Sequence, residues 1–115
     1  MDIEIKHINA GSQIQILALA GRLDAHTAPQ LRDALQGMLD QGYIRLLVDM
    51  AEVSFVDSTG LSTLVSGMKH CCQKGGDLAL TQLRQPVRII FELTRLDKAF
   101  EIHTDRAAAL AAMGR

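Results

Sequence analysis

Apolar residues recur along this chain with two different periods. Ile3, Ile5 and Ile8 alternate with Glu4 and Lys6, a period of two that predicts a half-exposed strand. Asn9-Ala10-Gly11-Ser12 then signals a turn into a second strand through Ile14, Ile16, Leu17 and Leu19, so the chain opens on a hairpin. Gly21 closes that strand, and Arg22 to His26 read as a short loop. From Thr27 the period lengthens, and Leu31, Ala34, Leu35, Met38 and Leu39 fall on one face of a helix. Thr27 is placed to cap it, Gln30 to reach back as the last residue of a capping box, and Pro29 needs no donor in a first turn. Gly42 suits the left-handed position that ends such a helix.

The next apolar run does not alternate. Tyr43 to Asp49, with Leu46-Leu47-Val48 at its centre, predicts a strand buried on both faces, and Val53 to Val56 carries the chain out of it. A strand, a helix and a strand in that order favour a parallel pair with a right-handed crossover. Leu61, Leu64, Val65, Met68 and Cys72 then mark a helix from Ser58 to Gln73; Gly75-Gly76 breaks the chain before a short strand, Asp77 to Thr81. Pro86 opens a third helix with Val87, Ile90, Phe91 and Leu93 or Thr94 facing inward. Phe100 to Ile102 is a candidate edge strand, exposed enough to pair with another chain. Thr104 caps a last helix, Asp105 to Met113, expected against the sheet edge. The order predicts an α/β fold: a mixed sheet with an N-terminal hairpin and about four helices packed mainly on one face.

Composition narrows the use of such a fold. With 115 residues, one domain spanning positions 1–115 is expected, large enough to bury roughly 60–70% of its unfolded surface. A formal net charge of −1, one Tyr, three Phe and no Trp give neither an electrostatic footprint nor a stacking platform for nucleic acid. No apolar stretch approaches the ~20 residues of a membrane span. The acidic opening Met1-Asp2-Ile3-Glu4 is unlike a signal peptide, so the expected location is cytoplasmic. Dispersed charge and the lack of heptads favour a monomer. Adjacent Cys71 and Cys72 cannot make an ordinary disulfide and read as helix-packing residues. His7, His26, His70 and His103 show no metal-ligand spacing, so no metal or cofactor is expected.

Chemistry concentrates in Val56-Asp57-Ser58-Thr59-Gly60-Leu61, where a strand gives way to a helix. Ser58 falls in the first turn, where free N–H groups and the positive end of the helix dipole favour an anion. Asp57 reads as the N-cap or as a residue of the preceding turn. Ser58 by itself would serve as a cap; Thr59 reads as a first-turn residue supporting the loop, its hydroxyl the alternative to that of Ser58 for any chemistry at this helix start. Gly60 allows close approach, either of a partner or of the neighbouring strand. A serine hydrolase would need a base and an oxyanion hole, and the G-x-S-x-G elbow is absent because Val56 stands where its first glycine belongs.

Gly21-Arg22-Leu23-Asp24 with Thr27-Ala28, then Leu47-Val48-Asp49, Phe55 to Leu61, Gly75-Gly76 and Leu93-Thr94-Arg95-Leu96 together resemble the STAS domain of bacterial anti-sigma factor antagonists. The resemblance covers nearly the whole chain. It implies a partner switch: the unphosphorylated antagonist binds an anti-sigma factor that is also a serine kinase with a GHKL-type ATP site, and the sigma factor is released. Phosphorylation of Ser58, the serine after the aspartate, would block binding, and a PP2C-type phosphatase would reverse it. The implied partner surface is Asp57, Ser58, Thr59, Gly60, Leu61 and Ser62, with Asp24 and His26 at its rim. Ser62 departs from the commonest pattern, in which a glycine follows the leucine. STAS-like domains also serve, without phosphorylation, as accessory or scaffold subunits of transport or sensory complexes.

Overall fold

The computed structural model describes residues 3–11 and 13–114; Met1 and Asp2 of the acidic opening and Ser12 of the predicted turn lie outside the described residues. Five strands form one sheet in the order of the chain: β1 (Glu4–Asn9), β2 (Ile14–Leu23), β3 (Arg45–Val56), β4 (Asp77–Thr81) and β5 (Ile102–His103). The first pair is antiparallel, and β2 through β5 run parallel. Four α-helices connect or follow them: α1 (Ala28–Asp40), α2 (Ser58–Gln73), α3 (Gln85–Leu93) and α4 (Arg106–Met113).

The unbroken apolar runs have a simple cause. Side chains alternate across a strand, and this sheet is covered on both faces. Leu17, Leu19, Leu46 and Val48 point into the larger core with α1, α2 and α3, whereas Ile14, Ile16 and Leu47 point the other way, onto Ala109 and Met113 of α4. α4 therefore packs on the second face of the sheet, not against its edge as the sequence suggested. Asp105, not Thr104, is its cap: the Asp105 carboxylate accepts a hydrogen bond from Ala108 N at 2.8 Å. Deeper in, Arg106 donates to the buried Asp49 carboxylate, which also accepts from Gln82 Nε2 at 2.9 Å and Ala51 N at 2.9 Å. A buried charge needs such partners, and here the Arg106 bond fastens α4 to β3.

Other expectations shift by local chemistry. β2 continues past Gly21 to Leu23, because register shifts at Ala18/Ala20 and Gly21/Arg22 absorb the irregularity as bulges. β3 is one strand of 12 residues, not two runs. The capping box at α1 does not form: Thr27 makes no side-chain cap bond and its hydroxyl donates instead to Arg22 O at 2.7 Å, while Gln30 Oε1 accepts from Ile3 N. Gly42 takes φ +91° at the end of α1 as anticipated, its N–H donating to Leu39 O at 3.0 Å. In α3, Val87 and Phe91 are buried but Leu93 is 79% exposed, since two residues on from Phe91 at about 100° each it points to the opposite face of the helix; Thr94 is exposed too. Phe100 is buried edge-on against Phe91, which leaves only Ile102 and His103 as the edge strand. Of the two cysteines, Cys71 packs in the core, where burial pushes its thiol up to about 11, and Cys72 is exposed.

Candidate functional site

The site stands where β2 and β3 end together. Leu23 pairs with Val56 in register, so the next residue on each strand is an aspartate, Asp24 and Asp57, leaving the sheet side by side at its carboxyl end. In parallel sheets this is the end where functional loops gather. Backbone bonding continues one step past the ladder, from Asp57 N to Leu23 O at 3.1 Å.

Each aspartate organises its own loop. Asp24 Oδ1 accepts from the N–H groups of His26 (3.0 Å) and Thr27 (3.1 Å), and Asp24 N donates to Thr27 Oγ1 at 3.0 Å. Arg22 lies 3.8 Å from its carboxylate and over the Phe55 ring, 4.1 Å from the centroid. Desolvation alone would raise the Asp24 pKa; the hydrogen bonds of Thr27 and His26, with the Arg22 charge, outweigh it and hold the carboxyl below its ordinary value. The sign is that of an acid stabilised in its ionised form. Its contribution is present above the usual carboxylate range and is lost as pH falls through the lowered pKa.

Asp57 joins the two loops. It sits in extended conformation before α2 and caps it, Oδ1 accepting from Gly60 N at 2.9 Å. Its other oxygen accepts from Ala25 N at 3.0 Å, across 32 residues of sequence. One carboxylate thus satisfies a helix donor and pins the β2–α1 loop beside the start of α2. Replacing it tests this: Asp57→Ala is expected to lower stability by about 1–2 kcal/mol in chemical denaturation, and Asp57→Asn, which caps comparably, by less.

With the cap supplied by Asp57, Ser58 is released from that duty. It is the first residue of α2, exposed, and its hydroxyl makes no hydrogen bond among the described residues. Thr59 is also exposed; its carbonyl accepts from Thr63 Oγ1 at 3.0 Å one turn on. Gly60 is buried, and a Cβ there would lie 2.7 Å from both Leu23 Cγ and Leu23 O. Its smallness lets α2 close on β2; it offers no side chain to a partner. Leu61 is 7% exposed, and Ser62 is exposed one turn beyond Ser58. The sequence-predicted residues therefore converge, with Asp24 and Asp57 as loop fasteners, His26 at the exposed rim and Ser58, Thr59 and Ser62 outward.

Two grooves flank α2, and no local pattern of residues announces either. One, of about 560 Å³, runs from Ser58 past Leu61, Val65 and Lys69 to Gln73, with Leu96 as its far wall. The other, of about 260 Å³, lies between α1 and α2 and is lined by Arg32, Leu35, Leu39, Thr59, Ser66 and His70 among others. No cluster of three or more metal-ligating side chains occurs among the described residues. No helix of the described residues is long and apolar enough to cross a membrane. What the arrangement supplies is an exposed hydroxyl on a helix start at the head of a grooved helical face.

The family follows from comparison: the STAS domain model matches residues 6–109, and the chain belongs to that family. It is 37% identical over 102 residues to the anti-sigma-B factor antagonist of Listeria monocytogenes, covering 89% of this chain and 88% of the relative. An anti-sigma factor antagonist from Mycobacterium paratuberculosis superposes with a TM-score of 0.88 at 25% identity, covering 98% of this chain and 95% of the other. The Bacillus cell fate determinant SpoIIAA, solved in its phosphorylated form, shares the fold with a TM-score of 0.75 at 19% identity, covering 95% and 98% of the two chains.

Proposed function

We propose that this protein is an anti-sigma factor antagonist whose docking is switched off by phosphorylation of Ser58. In the unphosphorylated state the start of α2 and the β2–α1 loop bind an anti-sigma factor carrying a GHKL-type serine kinase, and the sigma factor is freed. The kinase transfers phosphate to Ser58 Oγ, and a metal-dependent PP2C-type phosphatase removes it; both steps belong in the cytoplasm. The observation that carries this reading is the division of labour at the helix start, where Asp57 takes the cap and leaves the Ser58 hydroxyl exposed, with no hydrogen bond among the described residues.

Phosphate at that position adds a charge of about −1.5 to −2 and three acceptor oxygens. Within the domain it is tolerated, because the first-turn N–H groups lack intrahelical acceptors and the helix dipole favours negative charge. In a complex it must lose its water beside a fitted surface that has no place for it. The fold thus survives modification while docking does not. Calorimetric titration of the unphosphorylated chain with the GHKL-type anti-sigma factors of its own organism tests the binding half. The expected result is a stoichiometric complex with one of them that frees its sigma factor; failure to bind any of them would overturn the reading.

A further inference from the structure

The face below Ser58 has a chemistry that the switch itself does not use. Ser58, Ser62, Ser66 and His70 follow one another at intervals of four along α2, and Ser62, Ser66 and His70 line both flanking grooves. This stripe is thus a low ridge between two troughs. Ser58 to His70 is three intervals of four residues within α2, so the ridge is about 18 Å long at the helical rise of ~1.5 Å per residue. Small residues on a ridge let a second helix approach closely, and troughs on either side receive its larger side chains, the usual geometry of helix packing. The floors are apolar, with Leu61, Val65 and Leu96 in one trough and Leu35 and Leu39 in the other.

The charge on the walls has one sign. Lys69 stands at the lower end of α2 with the His70 imidazole beside it, Arg32 stands on α1, and no aspartate or glutamate lines either trough. That bias is not a property of the whole chain, which carries 13 acidic against 12 basic residues. Among the described residues Lys69 and His70 have no acidic partner, and Arg32 meets only the exposed Asp33, at 3.9 Å. An ion pair that exposed constrains Arg32 little. The position of Lys69 near the helix C-terminus suits the dipole, but Arg32 sits near the start of a different helix, where the dipole disfavours it.

We infer that the occupant of this face is an acidic amphipathic helix of the partner, laid along α2 with its apolar residues in the two troughs and its carboxylates at Lys69, His70 and Arg32. The inference rests on the partner-switch reading and specifies the partner's surface. It also gives the phosphate a second effect. A dianion on Ser58 stands at the head of the same ridge and repels an acidic helix through space, beyond the local cost of desolvation.

Charge reversal on the full-length protein tests this. Against the anti-sigma factor that binds the wild type, Lys69→Glu combined with Arg32→Glu is expected to lower the association rate at least tenfold and to flatten its dependence on salt. Lys6→Glu with Lys98→Glu makes the same change in net charge away from both troughs and is expected to leave association unchanged. Circular dichroism of each variant confirms that its fold is kept, and all four positions are exposed. If the α2-face reversal binds as the wild type does, or if both reversals weaken binding equally, the acidic-helix inference is wrong while the partner switch stands. If the wild type itself binds no anti-sigma factor, the parent reading falls and this one with it.

Discussion

A Ser58→Asp variant is expected to bind the anti-sigma factor about a thousandfold more weakly than Ser58→Ala, a difference of about 4 kcal/mol. The two substitutions are chosen because they act on the same exposed hydroxyl, which has no partner among the described residues to lose. Ser58→Ala removes one oxygen from a surface and keeps the site uncharged, so it is expected to bind like the wild type and to resist inactivation by the kinase. Ser58→Asp places a charge where docking must exclude water. Neither change is expected to move the denaturation midpoint by more than about 0.5 kcal/mol equivalent, since the cap of α2 belongs to Asp57. Equal affinities of the two variants in a calorimetric titration would remove the electrostatic basis of the switch.

Gly60→Ala is expected to destabilise the fold by about 2–3 kcal/mol, the upper part of the range for an oversized group in a packed interior. The new methyl would stand 2.7 Å from the backbone oxygen of Leu23 as well as from its side chain, and 3.2 Å from Val56 Cγ1. A side chain can rotate away, but the carbonyl is held by its bond from Asp57 N. The start of α2 must therefore lift from β2, and Ser58 lifts with it. Urea denaturation checks the first effect as a fall in midpoint with the slope unchanged. Weaker binding at a temperature where the variant is still folded checks the second.

The strands, the helices and the stretch around Ser58 were legible in the sequence because each rests on local signals. Period changes mark the elements, Pro29 and Pro86 mark helix starts, and Gly42 marks an end. Asp57 as cap was one of two local readings, and the structure selects it. What the sequence hid depends on pairing across distance. The bond from Ala25 N to Asp57 follows from the register of Leu23 with Val56, which no local pattern encodes. The loss of the Thr27–Gln30 capping box is half of that origin: Gln30 Oε1 accepts from Ile3 N, 27 residues away, whereas the Thr27 hydroxyl is engaged locally by Asp24 N and Arg22 O. The placement of α4 turned on which face of the sheet was still open, and an alanine-rich helix fits either place by composition. The two grooves beside α2 were beyond reach for a similar reason: Arg32 and Leu96 meet that helix only through the fold.

The proposed switch turns on one hydroxyl, and modification of that hydroxyl tests it most directly. The chain is incubated with the anti-sigma factor kinase it binds and ATP, and the product is mapped by mass spectrometry and titrated against fresh kinase. The prediction is a single phosphate on Ser58, none on the Ser58→Ala variant, and loss of binding by the phosphorylated form that a PP2C-type phosphatase restores. Phosphate found on Thr59 or Ser62 with Ser58 bare, or a Ser58-phosphorylated form that binds as before, would contradict it.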